Sequence, residues 1–298
     1  MTPRTVALLV LGVAAVSCSA ILIRLADAPP LTIALYRNAF AVLLLLPFAL
    51  ARNRAEMRAL SRRDWALCVM AGAFLASHFA LWIPSLSYTS VAASTVLVTT
   101  QPVWVAAGSY LVLRERLRPA AAVGIAVALA GTAVVSGGDF GLSPRAALGD
   151  GLALAGAITA AVYFVTGRDL RKRLSLLTYV GIVYATCAIL LVPVVAVAGQ
   201  PFLDVRWQDW VLFLGMALGP QILGHTVFNF LLRDVEATVI AVAVMGEPVG
   251  ASLLALAIFG ETPRWTAVVG GVLILAGVYA AITAQSRARR DGLPAPVE

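Results

Sequence analysis

Apolar residues run through this chain in long blocks, separated by short clusters of arginine, proline and glycine. A helix needs about 20 apolar residues to cross roughly 30 Å of hydrocarbon. By that measure the pattern predicts ten spans, near residues 5–23, 31–51, 65–86, 91–113, 119–136, 147–167, 176–198, 208–231, 237–259 and 265–284. The connections are too short to hold a soluble domain, and residues 287–298 read as a tail. Arg4 followed by an apolar run has the outline of a signal peptide ending near Ser17–Ala20. The run continues through Ile21, Leu22 and Ile23, which favours a first span.

The pattern repeats. Displaced by 146 residues, Val96, Val98, Pro102, Val103, Glu115, Arg118 and Gly124 fall on Val242, Val244, Pro248, Val249, Glu261, Arg264 and Gly270. Twelve of the 36 positions from 96 to 131 match, and the proline, glutamate and arginine pairs carry most weight in so apolar a chain. Five spans per half is an odd number, so the second half crosses in the opposite sense. The expected fold is therefore an all-α integral membrane protein with ten transmembrane helices in two inverted repeats, residues 1–140 and 141–286, and a cytoplasmic tail from 287 to 298. Inverted repeats suit transporters, because swapped halves give inward-open and outward-open states of similar energy.

Composition narrows the class. Only 12% of the 298 residues are charged and 61% are hydrophobic, with a mean hydropathy of +0.92. Soluble domains run near a quarter charged, so the bilayer is the solvent this chain is built for. The net charge of +7 does not point to nucleic acid, because the basic residues sit between apolar runs. Seventeen of them fall on one side of the predicted spans, four (Arg24, Arg145, Arg206, Arg264) on the other, and Arg37 inside a span. Basic residues collect on the cytoplasmic face. Both termini are thus expected there, in a multi-pass protein of a bacterial-type inner membrane. Cys18, Cys68 and Cys187 lie in apolar runs without metal-ligand spacing, so no metal or cofactor is implied.

Polar side chains inside a membrane usually face a cavity or one another. Gln221, His225 and Asn229 recur at helical spacing, with Phe228 beside them; His78 and Trp82 lie one turn apart, as do Thr95 and Thr99, followed by Gln101. Thr159, Tyr163 and Thr166 share a face. Each stripe reads either as a solute-binding wall or as hydrogen bonding between helices. Pro102 and Pro248 are repeat partners that deprive the Val98 and Val244 carbonyls of helical donors; each is a gate element or a static bend. Glu247, the one carboxylate at mid-membrane depth, is a candidate proton carrier, a partner for Arg37, or a hydrogen-bonding group like its repeat mate Gln101. Glu115 and Glu261 read as interfacial ion pairs beside Arg116, Arg118 and Arg264. Gly124, Gly131, Gly270 and Gly277 form small-residue rows suited to close helix packing, making the fifth and tenth spans scaffold, with a homodimer face left open.

Three features together resemble the drug/metabolite transporter superfamily, EamA type. They are Leu35-Tyr36-Arg37-Asn38, the series Gln101-Pro102, Glu115, Gly124 and Gly131, and its echo Glu247-Pro248, Glu261, Gly270 and Gly277. The resemblance spans about residues 8 to 284 and implies a ten-helix exporter with alternating access around a central cavity. Ser77-His78-Phe79-Ala80-Leu81-Trp82 further resembles the YddG-type aromatic amino acid exporters. The implied partners are the lipid bilayer and a small solute, an amino acid or a similar amphipathic metabolite. Another small metabolite or a cationic drug remains an alternative, with Glu247 as anchor. An intramembrane enzyme would need a catalytic cluster such as HExxH or GxSxG, and none stands at a suitable depth. A channel would lack steep saturation.

Overall fold

The computed structural model describes residues 1–89, 91–135, 143–260 and 262–290. Among them, every regular element is helical: α1 Pro3–Leu25, α2 Pro30–Ala59, α3 Arg62–Ser85, α4 Val91–Val98, α5 Gln101–Gly108, α6 Pro119–Val135, α7 Pro144–Arg171, α8 Leu176–Val197, α9 Trp207–Met216, α10 Val227–Leu231, α11 Ala237–Val244, α12 Glu247–Phe259 and α13 Trp265–Arg290. Two π-helical stretches, Ser109–Leu113 and Ala217–Thr226, continue α5 and join α9 to α10. Among the described residues eight helical stretches are long and apolar enough to cross a membrane, counting Trp207–Leu231 and Ala237–Phe259 as one each, and α6 is a shorter apolar helix.

Hydroxyl residues start the long helices as expected of N-caps. Ser61, Ser143 and Ser175 accept from the amides of Asp64, Ala146 and Thr178, and Pro144 sits in the first turn of α7. Two antiparallel helices also cap each other. Glu56, at the end of α2, accepts from the Ser175 amide (2.7 Å), the Thr178 hydroxyl (2.6 Å) and the Ser175 hydroxyl, and so closes the start of α8. Gln200, just past α8, accepts from the amides of Leu31 (2.9 Å) and Thr32 (3.3 Å) at the start of α2. This satisfies amides that the bilayer would leave bare.

The expected span at 91–113 is not one helix. It stops after Val98, turns through Thr99 and Thr100, and restarts at Gln101 with Pro102 in its first turn. The span at 237–259 does the same at Met245 and Gly246, restarting at Glu247 with Pro248 in its first turn. Proline is excluded from a helix interior but fits a first turn, so the chain closes one helix and opens another. Tighter turns bridge both breaks, Thr100 N–H donating to the Leu97 carbonyl (3.2 Å) and Gly246 N–H to Ala243 (3.0 Å). Both restarted helices run into a left-handed residue, Arg114 (φ 58°) after the π-helical stretch and Gly260 (φ 68°) after α12, and these positions lie 146 apart. The tail differs from expectation too: α13 continues to Arg290, and residues 291–298 lie outside the described residues, as does Glu261.

α6 and α13 pack antiparallel in the most extensive helix contact of the molecule. Glycine makes this approach possible. A Cβ on Gly124 would lie 2.5 Å from the Ala281 amide nitrogen and 2.7 Å from the Gly277 carbonyl; one on Gly131 would lie 2.7 Å from the Gly270 carbonyl. The four glycines thus face one another within the chain, which leaves these rows unavailable as a dimer face. Elsewhere α3 packs on α7 as the composite helix 207–231 packs on α1, and α4 and α5 pack on α7 as α12 packs on α1.

Candidate solute cavity

A cavity lies at the centre of the bundle, between α1, α2, α3, the α4–α5 break, α7, the composite helix 207–231 and the α11–α12 break. The chain reaches it from both broken spans. Thr99, Gln101 and Pro102 line it from one break, Met245 and Glu247 from the other, and the two valines that precede the breaks, Val98 and Val244, line it as well. Breaking a span frees backbone and polar side chains at mid-membrane depth, which is tolerated only where protein or a water-filled space receives them.

The wall is aromatic. Trp82 stacks on the His78 imidazole (5.8 Å, 9°), Phe79 meets His225 edge-on at 5.6 Å, and Tyr163, Phe164 and Phe228 complete it. His78 Nδ1 lies 2.9 Å from the Gly156 carbonyl. A carbonyl only accepts, so Nδ1 carries the hydrogen and a neutral His78 ring keeps Nε2 as an acceptor.

Three buried polar atoms among the lining residues have no partner: Trp82 Nε1, Gln101 Nε2 and His225 Nδ1. An unpaired buried polar group costs about 1–3 kcal/mol. Three around one cavity mark a place where a bound molecule or water supplies the missing bonds.

Arg37 and Glu247 line the same space. Arg37 is 1% exposed. It donates through Nε and Nη2 to Gln221 Oε1 (3.2 and 3.1 Å) and through Nη1 to Ser19 Oγ (3.2 Å), and its guanidinium lies 4.4 Å from the Phe79 ring centre. Among the described residues, the ion pairs of Glu115, Arg173 and Arg206 lie toward the ends of the bundle and do not involve Arg37 or Glu247. The cavity thus holds one cationic and one anionic group that do not neutralise each other by contact.

The polar stripe expected on the eighth span divides. His225 and Phe228 line the cavity, whereas Gln221 and Asn229 are fully buried behind it. The cause is the π-helical stretch, which takes more residues per turn than an α-helix and so breaks the i, i+4, i+8 register. Gln221 serves Arg37. Asn229 forms a floor: its Oδ1 accepts from the Tyr163 hydroxyl (2.9 Å) and its Nδ2 donates to the Tyr184 hydroxyl (3.2 Å), which in turn lies 3.0 Å from Thr226 Oγ1. Pro248 is buried beside the cavity without lining it. Thr159 bonds to its own helix, Thr166 is buried outside the lining set, and the Thr95 side chain lies outside what is described. Ser19, Phe79, Phe164 and Tyr184 carry no spacing or composition signal of their own, except that Phe79 follows His78.

Comparison with known proteins agrees with this architecture. The EamA-like transporter family matches residues 3–137 and again 147–283. An uncharacterized transporter of Archaeoglobus fulgidus is 27% identical over 281 residues, covering 91% of this chain and 96% of its own. The uncharacterized transporter YetK of Bacillus subtilis is 25% identical over 269 residues, covering 87% and 79%. A solved crystal structure, 21% identical, shares the fold with a TM-score of 0.82 over 97% of this chain and 99% of its own.

Proposed function

The chain belongs to the EamA-like transporter family, and from that premise we propose that it exports small amphipathic metabolites, most readily aromatic or broad neutral amino acids, across an inner membrane by alternating access. The observation that carries this reading is the cavity: an aromatic wall, one cation and one anion line it, and three polar atoms of its lining residues lack partners, the combination of apolar enclosure and few polar groups typical of small-molecule sites. A zwitterion offers a carboxylate to Arg37 and Gln101, an ammonium group to Glu247, and a side chain to Trp82, Phe79 and Tyr163. His78, Thr99, His225 and Phe228 complete the contact set.

The architecture we propose is ten spans in two inverted five-helix repeats, 1–140 and 141–286, with both termini in the cytoplasm. The 146-residue offset supports it, because it relates the Pro102 and Pro248 breaks and the left-handed Arg114 and Gly260. So does the packing of α7 on α3, mirrored by α1 on the composite helix 207–231. In this reading the proline breaks act as gate elements.

A second reading, export of lipophilic cations, rests on Glu247, a carboxylate in a largely apolar wall. Competition separates the two. In proteoliposomes, phenylalanine should inhibit export of a labelled aromatic amino acid while a quaternary ammonium compound does not; the reverse order of potency assigns the cavity to cations.

A further inference from the structure

Beyond the cavity floor, the end of α7 carries contacts that an alternating-access cycle has to undo. Arg168, in the last turn of α7 and 8% exposed, donates through Nε to Glu115 Oε1 (3.0 Å) and through Nη1 to the carbonyls of Leu232 (2.7 Å) and Arg233 (2.8 Å). Lys172 Nζ lies 3.6 Å from the same carboxylate oxygen. Arg171 donates through Nε to the Asn229 carbonyl (2.9 Å) and bonds the Leu174 carbonyl. Glu115 follows the π-helical stretch that extends α5, while Leu232 and Arg233 follow α10. Two guanidinium groups therefore gather, at one end of the bundle, three of the segments that line the cavity.

Sequence spacing paired Glu115 with its neighbours Arg116 and Arg118. The structure pairs it across the bundle with α7 instead, 53 residues away. This changes its meaning, because a bond between two cavity-lining segments decides whether they can part. The bond is also incomplete: Glu115 Oε2 is buried without a partner. Arg168 grips chain carbonyls beyond a helix end, where a cation is favoured by the helix dipole and where water can replace it. Lys172 is 45% exposed at the side chain, so water reaches this end. The pair itself is largely buried, so its release requires water to enter and take up the freed charges.

We propose that Arg168 and Glu115 form the latch that shuts the cavity at this end, and that every transport cycle releases it. The opposite end carries a related feature. α1 opens the first half as α7 opens the second, and it too ends in an arginine, Arg24, whose guanidinium lies 4.7 Å from the ring centre of Phe259. Phe259 ends α12 and is the repeat mate of Leu113, two residues before Glu115. Arg24 is exposed, so its ring contact is a weaker counterpart at the end of α12.

The latch rests on the transporter reading and not on the identity of the solute, and its test needs no solute. Ala160, a cavity-lining residue of α7, is replaced by cysteine in a background without Cys18, Cys68 and Cys187. A membrane-impermeant maleimide is then applied to vesicles of either orientation. Glu115→Gln and Arg168→Gln should raise labelling from the Arg168 side about tenfold and lower it from the other, as expected of a shifted two-state equilibrium. The charge-reversed double variant, Glu115→Arg with Arg168→Glu, should return it only part of the way, because a carboxylate at position 168 cannot donate to the Leu232 and Arg233 carbonyls. Arg168→Lys keeps the charge but loses the three-way grip and reads the same quantity if Arg168→Gln does not insert. Unchanged labelling, or an equal rise from both sides, overturns the latch, while failure of amino acid flux with intact labelling shifts bears on the solute alone.

Discussion

The α6–α13 seam and the cavity wall are both made largely of small and apolar residues, yet they are built for opposite purposes. Along the seam, Gly124, Gly131, Gly270 and Gly277 bring backbone against backbone, and the buried Thr132 hydroxyl bonds back to its own helix. Around the cavity the same apolar helices are broken at Pro102 and Pro248, loosened by a π-helical stretch, and left with unpaired Trp82, Gln101 and His225 atoms. Close packing in a membrane comes from small residues, whereas polar groups are retained there for function. The comparison teaches that rigidity and solute binding are assigned to different helices: α6 and α13 hold, while α1, α2, α3, the two broken helix pairs, α7 and the composite helix 207–231 surround the space.

The largest effect should come from disturbing the seam. Gly124→Leu forces a branched side chain onto the Ala281 amide and the Gly277 carbonyl, and overpacking of this kind costs about 3 kcal/mol or more. Thermal unfolding in detergent should show a large loss of stability for it, whereas Glu247→Gln unfolds near the parent temperature. Equal stability for Gly124→Leu would mean that the seam is not the rigid element.

On the cavity side, Arg37→Gln removes the one buried cation from the wall and leaves fully buried Gln221 without its partner. Truncating one member of a buried charged contact typically costs 2–5 kcal/mol. Flux in proteoliposomes should fall about a hundredfold, and flux within a few-fold of the parent would remove Arg37 from the site.

Glu247→Gln makes the second break chemically like the first, where Gln101 stands in the matching place. The KM for a zwitterionic solute should rise about tenfold, the loss of one weak charged contact, with folding unaffected. The same variant tests coupling: an undiminished response of flux to an imposed pH gradient excludes Glu247 as the proton carrier.

Much of this was legible in the sequence, because hydrophobic length and glycine rows act locally. The apolar blocks mark the helices, and the glycine pairs mark the seam. The proline pairs mark the breaks, although a bend was as plausible as the restart that occurs. Asn229 and Gln221 read differently because their positions depend on the π-helical stretch from Ala217 to Thr226, for which the sequence offers only Pro220 as a hint. The bond from Arg37 to Gln221 joins residues 184 apart, and no periodicity within one helix reports it. In the sequence Arg168 is one of many topological charges, because its carbonyl and carboxylate partners lie 53 to 65 residues away.

The central claim is that a solute is carried by a cavity exposed to one side at a time, and counterflow measures this directly. Proteoliposomes preloaded with unlabelled phenylalanine should take up labelled phenylalanine transiently above its equilibrium level, with saturable kinetics. Uptake that rises linearly with concentration and shows no overshoot would contradict it, since through an open pore labelled and unlabelled solute diffuse independently.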